Sequence, residues 1–196
     1  YLGVLVRSGR PQRAGAATLP GLQARVSVRY DRWGTPALDA ESGTDLAAAL
    51  GWVHANDRMF QMELGRRAVA GRLSEVFGAR ALDFDSRSRR LGLRKRAESL
   101  AAAAGEETRR WLDAYALGVN AWLEARGSDL PPELRLLGVE PEPWAPADSI
   151  SFIFLMARNL SPIDEPDELE AFRLLGAFGP ERARELVGRP GATIFD

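Results

Sequence analysis

Val26, Val28 and Tyr30 alternate with Arg25, Ser27 and Arg29. That two-residue period is the pattern of a strand with one covered face. Asp31-Arg32-Trp33-Gly34-Thr35-Pro36 interrupts it. Gly34 admits a positive φ, and Pro36 suits the first residue of a returning edge strand. Residues 25–40 therefore predict a β-hairpin. Beyond residue 42 the period becomes helical. Ser42 or Thr44 offers an N-cap with Asp45 in the first turn. Leu46, Leu50, Val53, Phe60 and Leu64 follow at helical spacing, widened by Trp52 and Met62, up to a stop at Gly71. Leu73–Phe77 predicts a short helix ending at Gly78. Asp83 to Asp85 opens an Arg-rich segment that becomes helical by Leu91. Glu106 to about Arg126 carries Trp111, Tyr115, Val119 and Trp122 on one side, with Gly127 as the stop. Pro131-Pro132 starts a short helix through Leu137. Pro141-Glu142-Pro143-Trp144-Ala145-Pro146 is a rigid, non-helical connector. The apolar run Ile150 to Leu160 predicts a buried helix. Residues 167–177 and 180–187 predict two more, divided by Gly179-Pro180.

The fold class expected is α+β, mostly helical with a single hairpin. Residues 1–24 have no period and read as an extended arm, and residues 25–196 as one region. Two strands alone are marginal in water. The hairpin must pack on the helices or join a sheet supplied by another chain.

Composition narrows the chemistry. With 45% hydrophobic and 27% charged residues the chain is that of a globular protein. A net charge of −1 argues against nucleic acid or an anionic membrane as partner. The cluster Arg87, Arg89, Arg90, Arg94, Lys95, Arg96 reads as a solvated or salt-bridged face. No stretch reaches the ~18 apolar residues of a membrane span, and no signal-peptide pattern opens the chain. The end at Thr193-Ile194-Phe195-Asp196 suits a processing cut. There is no cysteine, so thiolate nucleophiles and Cys-based zinc sites are excluded. The single histidine, His54, cannot build a multi-His metal site. Its surroundings read as a packed helix, with catalysis or a ligand contact as the alternatives. Gly-x-Ser-x-Gly, P-loop and dinucleotide fingerprints are absent. Asp83-Phe84-Asp85 starts like a calcium loop but lacks its glycine and distant glutamate. The acidic stretch Asp164, Glu165, Asp167, Glu168, Glu170 has two readings: a helix start enriched in acids, or oxygen ligands for a hard cation.

Several motifs, in order, resemble one family. They are Val28-Arg29-Tyr30-Asp31-Arg32-Trp33-Gly34-Thr35-Pro36, then Asp45-Leu46, then Gly51-Trp52-Val53-His54-Ala55-Asn56-Asp57-Arg58-Met59-Phe60-Gln61-Met62-Glu63. Gly71-Arg72-Leu73-Ser74-Glu75-Val76-Phe77-Gly78, Tyr115-Ala116-Leu117-Gly118-Val119-Asn120-Ala121, Pro141-Glu142-Pro143-Trp144 and the helix through Met156 complete the series. Together they resemble the α chain of penicillin acylases, members of the N-terminal-nucleophile hydrolases.

The resemblance implies an αββα fold completed with a β chain cut from the same precursor. That β chain begins with the catalytic Ser, whose own α-amino group is the base. No catalytic residue is implied in this chain, and no cofactor for catalysis. The substrate implied is a small N-acyl amide: a penicillin, or alternatively an N-acyl-homoserine lactone. A non-catalytic helical binding protein is the remote alternative. Acyl-pocket residues would lie at Met156, Arg158, Asn159 and Leu160. Leu160 stands where phenylacetyl-type acylases carry an aromatic, and Arg158-Asn159 reverses the family's Asn-Arg order. Both point toward a longer or more flexible aliphatic acyl group. Glu165, placed by a one-residue deletion, would be one ligand of a structural Ca²⁺ shared with the β chain. Export to the periplasm or beyond the cell is also implied.

Overall fold

The computed structural model describes residues 10–160 and 165–187, with side chains of the second segment over 172–183. The hairpin forms as expected from β1 (Ser27–Tyr30) and β2 (Pro36–Asp39). The strands are antiparallel, with Val28 opposite Leu38 and Tyr30 opposite Pro36. Asp31 closes the turn: its Oδ1 accepts the amides of Trp33 and Thr35, each at 2.8 Å. Gly34 takes φ 80°, the reason a glycine stands there. β2 packs on the first helix, and among the described residues the sheet has two strands.

Helix α1 (Gly43–Ala70) starts at Ser42, whose Oγ accepts the Asp45 amide at 3.1 Å, and stops at Gly71 in the left-handed conformation. It breaks direction at Arg58, where φ is −140° and ψ is 19°. The expected apolar stripe is only half right. Val53 and Met62 are buried, but Leu46, Leu50, Trp52, Phe60 and Leu64 are half-buried. The deep positions belong to Ala47, Ala48, Ala49, Gly51, Ala55, Met59 and Met62.

The reason is a close crossing with α5 (Glu106–Arg126). A Cβ on Gly118 would overlap the Ala48 carbonyl, 2.7 Å from its carbon, and one on Gly51 would lie 3.1 Å from the Tyr115 carbonyl carbon. Backbones this near leave room for small side chains and exclude leucines from the seam. Around the crossing the core gathers Ala55, Met59 and Met62 with Ala116, Val119 and Trp122, closed by Leu130, Leu134 and Trp144.

The arm over residues 10–24 carries no regular element and is tied to α1 by side chains. Asn56 holds Gln12 from both sides, accepting its amide at 3.0 Å and donating to its carbonyl at 3.1 Å. Asp45 accepts the amides of Gln23 and Ala24, each at 3.0 Å. The Gln23 bond comes first among the causes that hold the Asp45 carboxyl below its ordinary pKa.

After Gly71 come α2 (Ser74–Phe77), a 3₁₀ turn (Gly78–Ala81), α3 (Leu82–Leu91) and α4 (Leu93–Ala102). The Arg-rich segment is helical from Leu82, earlier than its sequence suggests. The 3₁₀ turn feeds straight into it, and buried Asp85 is drawn in to accept the amides of Leu73 and Ser74 at 2.9 and 2.7 Å. α6 (Pro132–Leu137) and α7 (Pro146–Leu160) complete the unit up to Met156. A second compact unit runs from Ala157 and contains α8 (Glu165–Val187), broken at Gly179-Pro180 as expected.

Candidate functional site

α7 carries the residues singled out for acyl binding, and its first half is tightly held. Asp148 folds back to accept the Ala145 amide at 2.7 Å, capping the helix. Asn120 of α5 embraces Trp144, accepting its amide at 2.6 Å and donating to its carbonyl at 2.9 Å. Trp144 donates its indole N–H to Ser149 Oγ at 3.0 Å. Phe152 seats its ring against Gly65, where an added Cβ would come 2.5 Å from Cζ.

Charged groups reinforce this end. Arg66 donates to the carbonyls of Glu142 and Pro143 at 2.8 and 3.3 Å, and its guanidinium lies 5.6 Å from the Trp144 ring centre. It also faces Asp148 at 3.7 Å and Glu63 at 2.5 Å, although Glu63 Oε2 has no well-aligned hydrogen bond. Arg67 donates to the other Glu63 oxygen at 2.6 Å and to Glu75. Arg72 donates to Glu75 and to Glu142, each at 2.8 Å. Arg94 of α4 pairs with Asp148 and, at 2.8 Å, with Glu98. Bonds from Arg72 hold the Glu142 and Glu75 carboxyls below the usual carboxylate pKa.

The second half of α7 is different. The run from Ile150 was expected to be buried, yet burial stops at Ser151. Ile153 is 67% exposed, Met156 53% and Leu160 73%. Helical spacing of three and four residues puts these on one side of α7. An apolar run does not say what covers it, and here the chain's own described residues cover only one end. Arg158 is half-buried and Asn159 exposed, in the last turn. Glu165 begins α8; its side chain lies outside the described residues, as do those of Asp167, Glu168 and Glu170, and all of Asp164. Among the described residues no three His, Cys, Asp or Glu side chains gather as metal ligands.

His54 packs less deeply than expected. It is exposed at one side of α1, its Nδ1 2.9 Å from Tyr115 Oη and its ring edge-on to Tyr115. Partial burial against that ring depresses its pKa, opposed by Asp57. His54 Nδ1 and Tyr115 Oη thus share a hydrogen bond whose direction follows the imidazole tautomer, and burial pushes Tyr115 up to about 12. Among the described residues no carboxylate is hydrogen-bonded to His54, so they form no carboxylate–histidine–hydroxyl relay. Arg87, Arg89, Arg90, Lys95 and Arg96 are exposed, as expected of a solvated face, though Arg89 also donates to the Gly71 carbonyl at 2.8 Å. A groove of ≈ 380 Å³ lies between the arm, the hairpin and α1, lined by Arg13, Leu19, Val26, Tyr30 and Trp52; none of the expected acyl-site residues lines it.

The clamp at the base of α7 is what sequence reasoning missed. Glu63, Arg66 and Arg67 sit at i, i+3 and i+4, the spacing of intrahelical ion pairs, which was the available signal.

The class defined here is a mostly helical α+β chain with a small two-stranded sheet, presenting an anchored helix with an open apolar end. A family model described as penicillin amidase matches residues 25–191. The penicillin acylase 2 proenzyme of Pseudomonas sp. (strain SE83) is 47% identical over 146 residues, covering 74% of this chain and 19% of that protein. The acyl-homoserine lactone acylase QuiP of Pseudomonas syringae pv. syringae (strain B728a) is 41% identical over 162 residues, 82% of this chain and 19% of its own. The solved thermostable penicillin G acylase from Alcaligenes faecalis superposes with a TM-score of 0.68 at 26% identity, over 86% of this chain and 95% of that one. The chain belongs to the penicillin amidase family. It spans about a fifth of the length of the curated relatives it matches. No helix among the described residues is long and apolar enough to cross a membrane.

Proposed function

We propose that this chain is the non-nucleophilic α subunit of an exported N-acyl amide hydrolase, active only with a β chain of the same precursor. The observation that carries this reading is the open apolar end of α7. Met156 and Leu160 stand exposed where the family resemblance expects an acyl wall, with Ile153 exposed a turn before them. Among the described residues no further strand pairs with either outer edge of the hairpin, which agrees with a sheet completed by a second chain.

In this scheme the β chain's N-terminal Ser Oγ attacks the amide carbon and its α-amino group takes the proton. The C–N bond then breaks, and the amine leaves with that proton. Water cleaves the resulting acyl ester. Met156 and Leu160 form one wall for the acyl group, with Arg158 and Asn159 at its rim. Glu165 supplies one oxygen to a structural Ca²⁺, the other ligands coming from the β chain.

The test is the full-length precursor. Intact mass spectrometry should find this chain with a larger, Ser-led partner, and the pair should hydrolyse an acyl amide. A lone chain with no cleaved partner, or an assembled pair that cleaves no acyl amide, overturns the reading. Metal analysis of the Glu165→Gln variant should show calcium lost.

Acyl-homoserine lactones are the second substrate class. The aliphatic Leu160 and the identity to a homoserine lactone acylase favour it. Parallel assays with penicillin G, penicillin V and a long-chain acyl-homoserine lactone separate the two.

A further inference from the structure

Among the described residues α7 is held over its first half, from its cap to Phe152. Its base is gripped by three helices, α1 among them through Arg66, which faces Asp148 at 3.7 Å. α5 grips through Asn120, which pairs with both backbone groups of Trp144 as a strand partner would. α4 grips through Arg94, which reaches Asp148, the residue that caps the helix. Trp144 cannot slide or turn without losing both Asn120 bonds. Asp148 cannot swing without releasing Arg94. By contrast, Ile153 and Met156 are open.

The helix is therefore a lever. From Asp148 to Met156 is eight residues, about 12 Å at ~1.5 Å per residue. A tilt of about 5° at the base moves Met156 by about 1 Å, a displacement large enough to matter for a positioned acyl group.

We propose that Asn120 and Arg94 are positioning residues for acyl-chain preference. Neither touches substrate. Each sets the direction of α7 and so the depth of the wall at Met156. This rests on Met156 being part of the acyl wall, and the experiment tells the two apart.

The full-length, processed enzyme would be assayed with butanoyl and decanoyl p-nitroanilides. The variants are Arg94→Gln, Arg94→Lys, Asn120→Asp and Met156→Ala, with exposed Arg87→Gln as a surface-charge control. In Arg94→Gln and Asn120→Asp the ratio of kcat/KM between the two substrates should shift about fivefold or more, entering through KM for the longer acyl group rather than kcat. Arg94→Lys should recover most of it, and Arg87→Gln should leave it alone. A merely structural role would lower yield or Tm without moving that ratio. If the ratio stays within about twofold in both variants while Met156→Ala moves it, the positioning proposal is overturned. If Met156→Ala leaves it unmoved as well, the acyl-wall reading falls and takes the proposal with it. Should Asn120→Asp fail to accumulate, the Arg94 pair decides the matter, because its half-exposed side chain tolerates exchange.

Discussion

Gly118→Ala isolates the α1–α5 crossing. In an ordinary helix this change stabilises, by about 1 kcal/mol of backbone propensity. Here the new methyl would sit 2.7 Å from the Ala48 carbonyl carbon and 3.0 Å from the Trp52 nitrogen. Ordinary carbon contacts are about 3.5–4.0 Å, so the helices must part by about 1 Å. The obstacle is backbone on both sides, which no rotamer change relieves. Parting the seam forfeits a quarter or more of the dispersion along it. Overpacking of this kind costs about 1–3 kcal/mol, and a backbone clash belongs at or above the upper end. Subtracting the propensity gain leaves a net loss of about 2 kcal/mol, or about 4–8 °C in Tm for a domain of this size. Gly176→Ala is the matched control. Gly176 lies inside α8 with nothing within 4 Å of an added Cβ, so the same substitution should be neutral or slightly stabilising. Urea unfolding of the processed protein reads both. A Gly118→Ala variant as stable as the parent would refute the close-crossing account. Gly51→Ala opens the same seam from the other side, so the double variant should cost less than the sum of the singles.

Glu63→Gln leaves Arg66 and Arg67, 6% and 8% exposed, with less counter-charge. Asp148 and Glu75 still partly compensate, so the loss should fall near the lower end of the range for a broken buried pair, about 3 kcal/mol by urea midpoint; a loss under about 1 kcal/mol would contradict the buried network. His54, the sole histidine, gives a single imidazole signal in NMR, and its midpoint should fall below 6.5. With the folded pKa below the unfolded one, both states are neutral above pH 6.5. As pH falls through that value the unfolded chain takes up the proton first, so this group's contribution to stability is lost on acidification. A midpoint at or above 6.5 would refute the packing against Tyr115.

Legibility in the sequence followed the range of the interactions. The hairpin, α5, α6 and the break at Gly179-Pro180 rest on local signals, namely alternation, caps and turn residues, and they stand where expected. α1 is legible as a helix and its buried side in part, at Val53 and Met62, but its close crossing with α5 is not. Alanines and glycines do the burying there, because a neighbouring backbone comes too near for leucine. α7 was recognised as apolar, but its covering was not. Periodicity describes one helix and is silent about its neighbours. The Asn120–Trp144 and Arg94–Asp148 links join residues 24 and 54 apart. No window short enough to show a helical period contains either pair.

The kind of interaction at the base of α7 matters as much as its presence. A buried ion pair is about neutral in stability against apolar residues of equal volume, since desolvation offsets attraction. Stability alone therefore gives little reason for Glu63, Arg66, Arg67 and Asp148 to be buried together. Direction gives a better one. Apolar packing tolerates small rotations at little cost, whereas a guanidinium bonded to two carbonyls and facing two carboxylates has essentially one orientation. Arg66 spans the gap between α1 and the Glu142-Pro143 backbone, and Asp148, in the first turn of α7, holds the Ala145 amide two residues past Pro143. A wall whose far end is open needs its near end fixed in angle, and directional bonds supply that where an oily contact would not.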